Sequence, residues 1–572
     1  SKPIESFFQT STNKLSSTEA AKWKDFVTHE LCQHPTVSLR AGCALLNSAA
    51  NYASKLSNPK KSLLFDLSPG TISRHITCLG KSAEIGFLNR LKSFALNEDC
   101  SVSGIIDFWS ARQVYYRSYG AILATGIDSN WHWFSFPVSF FDIAHNQSHT
   151  AEFIFSQFDQ NFCSSNSFAN PLFVCTDNAA SMIAAFDGRF RNSTHIYRMP
   201  CVEHRLSTCI NDSFKTGINK DVDFLWKRIN AIETFYNSSS DKAASLKKAI
   251  PQKCVTREWR SHNRRLLAIK ENFSIFLSSP YPQVQNNIPD IATVRGLLLF
   301  FEKIVECFDV LEVDGPTAHL VLPCYCLLDY FSIKLAYVDD TVNDVVKAYA
   351  IHFRAIIAEK LWPICGSKKS IASSYLAGIN VKGKIERLVE SLSSSGERIK
   401  AWALSWEGFI NSFQTEAERY ILEIFSSLKL QQASPTASTS VPNSCENLSY
   451  FLEPPTKKGK KSSSISDELC NFRLAQPDSS NILQWWSAAC NFSLLQRVAK
   501  IVFGVPASSA AIERLFSSAG LRLSKHRPNT SSNLLRFSLF LKCAEKAKLD
   551  VSVSQSTLES NEILDDEFSD CD

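Results

Sequence analysis

The sequence predicts an α/β protein whose mixed β-sheet is flanked by helices and interrupted by a large all-α insertion. Strand-like and helical segments alternate between residues 101 and 215 in the order β-β-β-α-β-α-β. Helical periodicity then dominates from about residue 270 to residue 480. Because consecutive strands tend to be neighbours in a sheet, this order places the first strand in the centre.

Length and composition define the broad class of the protein. The chain has 572 residues, 44% of them hydrophobic, a formal net charge of +5 and 18 scattered cysteines. Length alone predicts about three or four domains. We expect a soluble protein without a membrane span, because no apolar run approaches roughly 18 residues. The cysteines are expected to be reduced thiols in the cytosol or nucleus. With so small a net charge, any nucleic-acid surface must come from local clustering of cations.

The composition divides the chain into five predicted regions. The first is mainly helical, the second and fourth build the sheet domain, and the third is the all-α insertion. The insertion contains a Ser/Pro/Lys-rich loop, and the chain ends in an acidic tail; both are predicted to be disordered. A lysine cluster in the loop is compatible with a nuclear localisation signal, a phosphate contact or a solubilising linker. The predicted bounds are 1–100, 101–268, 269–480 with the loop at 431–466, 481–548 and 549–572.

Two aspartates stand at the ends of strand-like segments. SVSGIIDFW contains Asp107, which is expected to close the first strand, and LFVCTD ends at Asp177. If these strands are neighbours, both carboxylates emerge at the same edge of the sheet, where sites on α/β sheets usually form. Each residue also has an ordinary structural explanation. Asp107 can be a simple strand-end acid, and Asp177 can be the N-cap of a helix starting at Asn178.

A third acid, Glu513, lies in the segment VFGVPASSAAIERLFSSAGLRLSKHR, residues 502–527. Pro506 is expected to open a helix and Gly520 to close it. Glu513 lies on the flank of the predicted buried face of this helix. An acid in the first turn also complements the helix dipole, but a capping box is not expected, because Ala510 occupies the position that the box requires for Ser or Thr. The predicted buried positions are Ile512, Leu515, Phe516 and Ala519.

These motifs resemble those of the hAT transposase family. IIDFWSA is similar to the family's first-aspartate motif, VCTDNAASM to its second, and ERLFSSAG to its carboxy-terminal glutamate signature. CVEHRL carries the family's Cys-x-x-His as Cys201 and His204, and ILQWWSA matches the double tryptophan that opens the dimerisation region. The all-α insertion also stands where the family places one. The resemblance extends from about residue 100 to residue 545, although IASSYLAGI replaces the usual Leu-Asp-Pro motif.

The resemblance implies an RNase H-like catalytic core in which Asp107, Asp177 and Glu513 form a DDE triad. It further implies two Mg²⁺ or Mn²⁺ ions about 3.5 to 4 Å apart, with Asp107 bridging them and the other two acids each holding one ion. Cys201 and His204 are expected to orient or pack groups near the site. A structural zinc ion is not expected, because such a site needs four ligands. No BED zinc finger is found, so one either precedes Ser1 or is absent.

TREWRSHNRRLL, residues 256–267, resembles the family's Thr-Arg-Trp-x-Ser segment, with Glu258 inserted before the tryptophan. The resemblance implies that Trp259 stacks on an extruded DNA base. Arg257 and Arg260 are expected to contact phosphate, with a solvated helix face as the alternative.

The function implied by the resemblance is that of a nuclear DNA transposase, which cuts DNA at element ends and joins it to a target. DNA and a second copy of the chain, or a larger homo-oligomer, are the expected partners, and a membrane is not. One alternative is a domesticated, non-catalytic protein that binds DNA or chromatin as a dimer. A nuclease of RNase H type acting on RNA would share the site chemistry but would not explain the dimerisation signature.

Overall fold

The computed structural model describes residues 13–14, 17–33, 42–48, 50–51, 63–64, 68–111, 117–145, 147–163, 166, 168–170, 172–187, 196–215, 220–250, 260–391, 397–432, 464–475, 477, 481–523 and 530–549. Nearly all of the predicted loop at 431–466 and the acidic tail from residue 550 lie outside these residues. Arg257 and Trp259 lie outside them as well.

A five-stranded mixed sheet forms the centre of the fold. Its strands follow in the order β5-β4-β3-β6-β7, so that the first long strand of the chain, β3, is central, as predicted. The β3, β4 and β5 strands are antiparallel neighbours, whereas β6 and β7 are added in parallel. Two short strands in the amino-terminal region pair with each other in parallel. The strands are β1 (Asn13–Lys14), β2 (Leu63–Leu64), β3 (Ser101–Ala111), β4 (Arg117–Ile127), β5 (Trp133–Ile143), β6 (Leu172–Thr176) and β7 (Ile196–Pro200).

Helices make up most of the remaining described chain. Most of those between residues 220 and 488 belong to the insertion, and the last two return to the sheet. The α-helices include α1 (Ser17–Gln33), α2 (Pro69–Leu96), α3 (Ala151–Phe158), α4 (Ala180–Asp187), α5 (Val202–Lys215), α6 (Lys220–Tyr236), α7 (Ser240–Ala244), α8 (Ser261–Glu271), α9 (Phe273–Leu277), α10 (Pro282–Gln285), α11 (Ile291–Leu311), α12 (Val321–Tyr337), α13 (Asp344–Lys360), α14 (Trp362–Cys365), α15 (Lys368–Leu376), α16 (Val381–Ser391), α17 (Glu397–Gln432), α18 (Ile465–Phe472), α19 (Ile482–Ala488), α20 (Ser493–Phe503), α21 (Ala510–Arg522) and α22 (Ser532–Lys546).

Alternation along the central strand assigns the helices to the two faces of the sheet. Gly104 lies against the ring of Phe158 at the end of α3, so close that a Cβ at this position would be 2.7 Å from the ring. The next residue, Ile105, lies instead with Ala510 and Ala511 of α21 around a small cavity on the opposite face. Since successive strand residues point to opposite faces, α3 packs on one face and α21 on the other.

The insertion packs into a large hydrophobic cluster that it shares with the sheet domain, since Trp131 and Phe173 belong to that cluster as well. The helical periodicity expected in this part of the chain appears in α11 as one buried stripe, which contains Leu297, Phe300, Phe301, Ile304 and Phe308. The insertion also contains one stretch, Ala318–Tyr337, that is long and apolar enough to cross a membrane among the residues described, with a mean hydropathy of 1.3. The expectation that no such run exists was wrong in this respect.

Burial explains the apolar composition of that stretch. More than half of its apolar window, 56%, is buried inside the structure. Its Asp329 accepts hydrogen bonds from the indoles of Trp402 and Trp406 at 2.6 and 3.0 Å and pairs with Arg354 at 2.7 Å. A carboxylate is stable at such depth only when it is paired and hydrogen-bonded in this way.

Four local predictions need correction. Asp107 lies inside β3 and not at its end, because pairing with β4 continues as far as Ala111. The helix after Asp177 begins at Ala180, not at Asn178. Pro506 does not open the Glu513 helix, which starts at Ala510, because backbone N–H groups of the preceding residues bond elsewhere in the fold. Gly520 lies within that helix, beside Trp109, and the helix continues to Arg522.

The two ends of the described chain pack together through a close helix crossing. Gly80 of α2 lies so near Phe537 of α22 that an added Cβ would be 2.3 Å from the Phe537 Cβ and 2.7 Å from its carbonyl oxygen. Val27 and Leu31 of α1 join the same hydrophobic cluster. The amino-terminal helices are thereby fixed to the carboxy-terminal helix.

We expect Gly80→Ala to lower the free energy of unfolding by roughly 1–3 kcal/mol, because the backbone of α22 cannot move aside without disturbing the core. Denaturant unfolding followed by circular dichroism measures this change. Gly408→Ala is the matched control, since nothing lies within 4 Å of its position in α17. That substitution should stabilise the protein by up to about 1 kcal/mol. Equal effects of the two substitutions would contradict the close crossing.

Candidate active site

The two aspartates of the predicted triad lie at the same level of adjacent parallel strands. Ile105 of β3 pairs with Cys175 of β6. Asp107 lies two residues after Ile105 in β3. Asp177 lies two residues after Cys175, directly after the end of β6. Because side chains alternate with a period of two, continuing this register places both aspartates on the face that carries α21.

Asp107 is buried on the face that meets the Glu513 helix. Its side chain is 2% exposed, and its Oδ1 accepts a hydrogen bond from the backbone N–H of Phe108 at 2.8 Å. Trp109, on the same face, stacks on Phe516 of α21 with 6.0 Å between ring centroids. Aromatic packing therefore fixes the distance between β3 and α21 close to Asp107.

Asp177 lies in a turn that one arginine holds together. Arg198 of β7 donates hydrogen bonds to the Asp177 carbonyl at 2.7 Å, to the Asn178 side chain at 3.0 Å and to the Thr176 hydroxyl at 2.8 Å. The Asp177 carboxylate itself accepts from the backbone N–H of Ala179 at 3.0 Å. That contact spans two residues, so the carboxylate forms an Asx-type turn ahead of α4 and is not its N-cap.

Glu513 contacts the Cys-x-x-His segment through a cluster of four side chains. Its Oε1 lies 3.4 Å from the hydroxyl of Ser509 and 3.6 Å from Nδ1 of His204. The Ser509 hydroxyl lies 3.3 Å from both His204 Nδ1 and the sulfur of Cys201, and the Ser509 N–H also lies 3.3 Å from that sulfur. Glu513 is in the first turn of α21, as predicted, and Ser509 makes no side-chain cap there.

Backbone hydrogen bonds join this cluster to the Asp177 turn. The N–H of Cys201 donates to the carbonyl of Thr176 at 2.8 Å, and the side-chain amide of Asn178 donates to the Cys201 carbonyl at 3.0 Å. Contacts through Ser509 and Cys201 thus connect Glu513 with the end of β6, next to Asp177, although 336 residues separate Glu513 from Asp177 along the chain.

The Cys201 thiol stays protonated at neutral pH. Burial raises its pKa to about 11, although hydrogen bonds from Ser509 and His204 act in the opposite direction. A thiol in this state is a poor nucleophile and a poor metal ligand, because both roles require the thiolate. Its contacts fit the predicted orienting or packing role.

Two further acids surround this cluster and were not found by sequence analysis. Glu203 is fully buried, and neither of its carboxyl oxygens has a hydrogen-bond partner within the described part of the chain. Burial raises its pKa well above the ordinary value, and the nearby acids Glu312 and Glu513 raise it further. Burial also raises the pKa of Glu312, with Arg260 opposing and Asp309 and Glu513 reinforcing the shift.

The predicted DNA-binding arginine that the structure describes is engaged in ion pairs. One guanidinium nitrogen of Arg260 lies 2.6 Å from Asp309 and 2.8 Å from Glu312. These pairs connect the start of α8 with the end of α11 behind the Glu513 cluster. Contact between Arg260 and DNA phosphate stays a prediction, as it does for Arg257 and Trp259, which lie outside the described residues.

The predicted metal ligands suit a hard cation by their chemistry. Asp107, Asp177 and Glu513 offer carboxylate oxygens, which Mg²⁺ and Mn²⁺ prefer. In the described ranges no three His, Cys, Asp or Glu side chains converge closely enough to hold an ion. Glu513 instead contacts Ser509 and His204.

Comparison with protein families relates this geometry to known proteins. Residues 465–542 match the model of the hAT family C-terminal dimerisation region. The resemblance to the hAT family is confirmed. The hAT region contains α18 to α21 and most of α22, so Glu513 itself lies within it. Its presence supports a homodimer or a larger homo-oligomer. No curated protein matches the chain.

The second residue of the double tryptophan in the hAT region, Trp486, belongs to the core. That side chain is fully buried and donates a hydrogen bond to the carbonyl of Leu376 at 3.1 Å. Its ring also stacks on Trp131, with 6.2 Å between centroids. Trp486 therefore ties the hAT region to both the insertion and the sheet.

The raised pKa of Glu203 has a measurable consequence for stability. Folding takes up a proton at this site, so stability falls as the pH rises from the unfolded-state pKa of about 4.3 towards the folded-state pKa. We expect Glu203→Gln to raise Tm by about 2–4 °C at pH 8 and by less at pH 5. Thermal unfolding at the two pH values measures this difference. The exposed Glu407→Gln should leave Tm unchanged at both, and a fall in Tm of Glu203→Gln at pH 8 would contradict the prediction.

Proposed function

We propose that this protein is a hAT-type DNA transposase, or a protein derived from one, that cleaves and transfers DNA strands with a DDE triad. The observation that carries the proposal is the contact of Glu513 with Ser509 and His204 beside the strand end of Asp177. An acid so distant in sequence is brought there only by the fold. A role limited to the helix dipole would not require this setting.

The sheet order supports an RNase H-like core for this function. Three antiparallel strands are followed by two parallel ones, with β3 in the middle. In this arrangement acids on β3 and after β6 share one face, and a carboxy-terminal helix crosses above them. The same layout would serve hydrolysis of RNA, but the hAT region favours DNA transposition over that alternative.

The chain's own residues hold the reacting groups in this mechanism. Asp107, Asp177 and Glu513 would hold the divalent ions, which supply activation of a water or 3′-hydroxyl and neutralise charge at phosphorus. Arg198 fixes the turn of Asp177 through three hydrogen bonds. Ser509 and His204 orient the carboxylate of Glu513. The sulfur of Cys201 contacts both of these side chains.

Substrate binding would extend the site towards the start of α8. The segment that contains Trp259 and Arg257 directly precedes Arg260, whose pairs with Asp309 and Glu312 lie next to Glu513. Cations from this segment would face DNA phosphates, and Trp259 would stack on an unpaired base. A nuclear location follows from such a substrate.

We expect the purified protein to cut DNA that carries the gene's own genomic flanks when Mg²⁺ or Mn²⁺ is present. Glu513→Gln should lower the cleavage rate by at least about 100-fold, since it removes a metal-binding charge without changing the shape of the side chain. Asp107→Asn and Asp177→Asn should act alike. Glu302→Gln, an exposed acid in α11, is the control that should cut normally. Gel analysis of strand breaks and hairpin products measures each rate.

The outcomes separate the two candidate functions. If the parent and the Glu513→Gln variant cut equally, the activity does not belong to this site. If neither cuts although the parent binds DNA as a dimer, the domesticated DNA-binding protein replaces the transposase. Thermal unfolding of each variant checks that a lost activity is not a lost fold.

We expect the full chain to sediment at twice or more its 64.1 kDa mass. Leu474, 86% exposed within the hAT region, is a candidate contact for the second copy. Leu474→Asp should weaken self-association about tenfold or more, as expected for loss of an apolar interface side chain. Leu96→Asp changes an exposed leucine outside the hAT region and should not. Analytical ultracentrifugation measures both, and a monomeric parent chain would contradict the prediction.

A further inference from the structure

A cleft lies on the side of α21 that faces away from the Glu513 cluster. Its volume is about 540 Å³, and it is bounded by α21, α22 and the strands β4 and β5. Its apolar lining comes from both strands and both helices. The apolar residues are Leu123, Phe136, Pro137, Leu515 and Leu539.

The rim of the cleft has a surplus of positive charge. Lys546 is paired with Asp314 at 2.8 Å, and Asp314 also accepts from the indole of Trp133 at 3.1 Å. Burial alone would raise the pKa of Asp314, but these hydrogen bonds outweigh it and lower the pKa. Glu545 likewise accepts a hydrogen bond from Gln33. Both acids of the rim are therefore already engaged.

Two cations of the rim make no ion pair with an acid among the described residues. Arg514 donates to the carbonyl of Glu312 at 2.9 Å, and Lys542 lies 3.4 Å from the hydroxyl of Ser518. Neither lies within 4 Å of a carboxylate in the part of the chain that the structure describes. The cleft thus offers an apolar floor beside two cations that are available to an anionic group.

The sequence beyond Leu549 has the complementary chemistry. Residues 550–572 contain eight acidic side chains and no Lys or Arg. The last part, ESNEILDDEFSDCD at residues 559–572, places Ile563, Leu564 and Phe568 among seven of these acids. Apolar anchors within an acidic sequence match an apolar floor with a basic rim.

The position at which this segment leaves the structure also favours the cleft. The carboxy-terminal end of α22 supplies Lys542, Glu545 and Lys546 to the rim. The helix ends at Lys546, and the last described residue, Leu549, follows three residues later. Leu549 packs beside Gly86 on α2. The fourteen residues from Leu549 to Ile563 can span up to about 45 Å when extended. The whole of α22 is only about 22 Å long, so the segment easily reaches back to the cleft.

We propose that the cleft between α21 and α22 binds the chain's own acidic carboxy-terminal segment, residues 559–572. Its apolar side chains occupy the floor, and its carboxylates pair with Arg514 and Lys542. This contact is a binding function of the hAT region that does not depend on DNA cleavage. Because Arg514 follows Glu513 on α21, the docked segment covers the back of the helix that carries the catalytic glutamate.

Photocrosslinking in the full-length protein tests this contact. Phe568 is replaced by p-benzoylphenylalanine, the protein is irradiated, and the crosslinked residues are identified by mass spectrometry. We expect crosslinks within the same chain to α21, α22 or the β4 and β5 residues that line the cleft. The yield should fall at higher salt, because the rim pairs are exposed and screened. Crosslinks that map elsewhere, or that join two chains in a mixture of isotope-labelled and unlabelled protein, overturn the proposal.

Charge reversal provides the matched comparison. Arg514→Glu with Lys542→Glu should lower the crosslink yield on the order of tenfold, as expected for two exposed ion pairs that become repulsive. Lys22→Glu with Lys92→Glu makes the same change of net charge at exposed positions outside the cleft and should leave the yield unchanged. Asp565→Asn with Asp566→Asn and Glu567→Gln tests the other side of the contact and leaves every described residue unchanged. An unchanged yield in the Arg514 and Lys542 variant or in this tail variant overturns the proposal.

Discussion

The buried segment Val505–Ser509 is the connection on which the candidate site depends. The carbonyl of Ala507 accepts from the N–H of Val202 at 3.0 Å, while its own N–H donates to the Thr317 hydroxyl at 3.0 Å. Ser508 donates to the carbonyl of Leu311 at 3.1 Å, and Ser509 reaches Cys201. Because buried backbone groups must be paired, these bonds fix where α21 begins. They connect the part of the sheet domain that follows the insertion with the part that precedes it. They also place Glu513 near the end of β6, next to Asp177.

Negative charge at this closure is the second constraint on the site. Glu203, Glu312 and Glu513 lie near one another, and burial together with mutual repulsion raises the pKa of the first two. Arg260 balances Glu312 at 2.8 Å, and His204 lies 3.6 Å from Glu513. Neither carboxyl oxygen of Glu203 has a hydrogen-bond partner among the described residues, and burial favours its protonated form. The fold thus contains a local excess of acidic side chains, whose burial costs free energy.

The hAT region contributes to three separate features of the fold: the candidate site, the core and the cleft. It supplies the glutamate of the candidate site, a buried tryptophan that joins the insertion to the sheet, and both helices of the basic cleft. Its last helix also crosses α2 at Gly80, in contact with the amino-terminal region. Changes in self-association or in occupancy of the cleft therefore act on the same helices that carry Glu513.

The resemblance to the hAT family indicated the three acids proposed for catalysis. Local patterns in the sequence determined the types and order of the sheet elements, the central first strand and the buried stripe of α21. Such features follow from short-range periodicity and motif spacing, which a single sequence carries. Only the tertiary structure decided where α21 begins, that Ser509 links Glu513 to Cys201, and that Glu203 and Glu312 lie beside them. It alone also decided the pairing of Arg260 and the cleft behind Glu513. These depend on contacts between residues distant in sequence, for example 52 positions apart for Arg260 and Glu312 and 308 for Ser509 and Cys201, and periodicity holds no information about which distant side chains will meet.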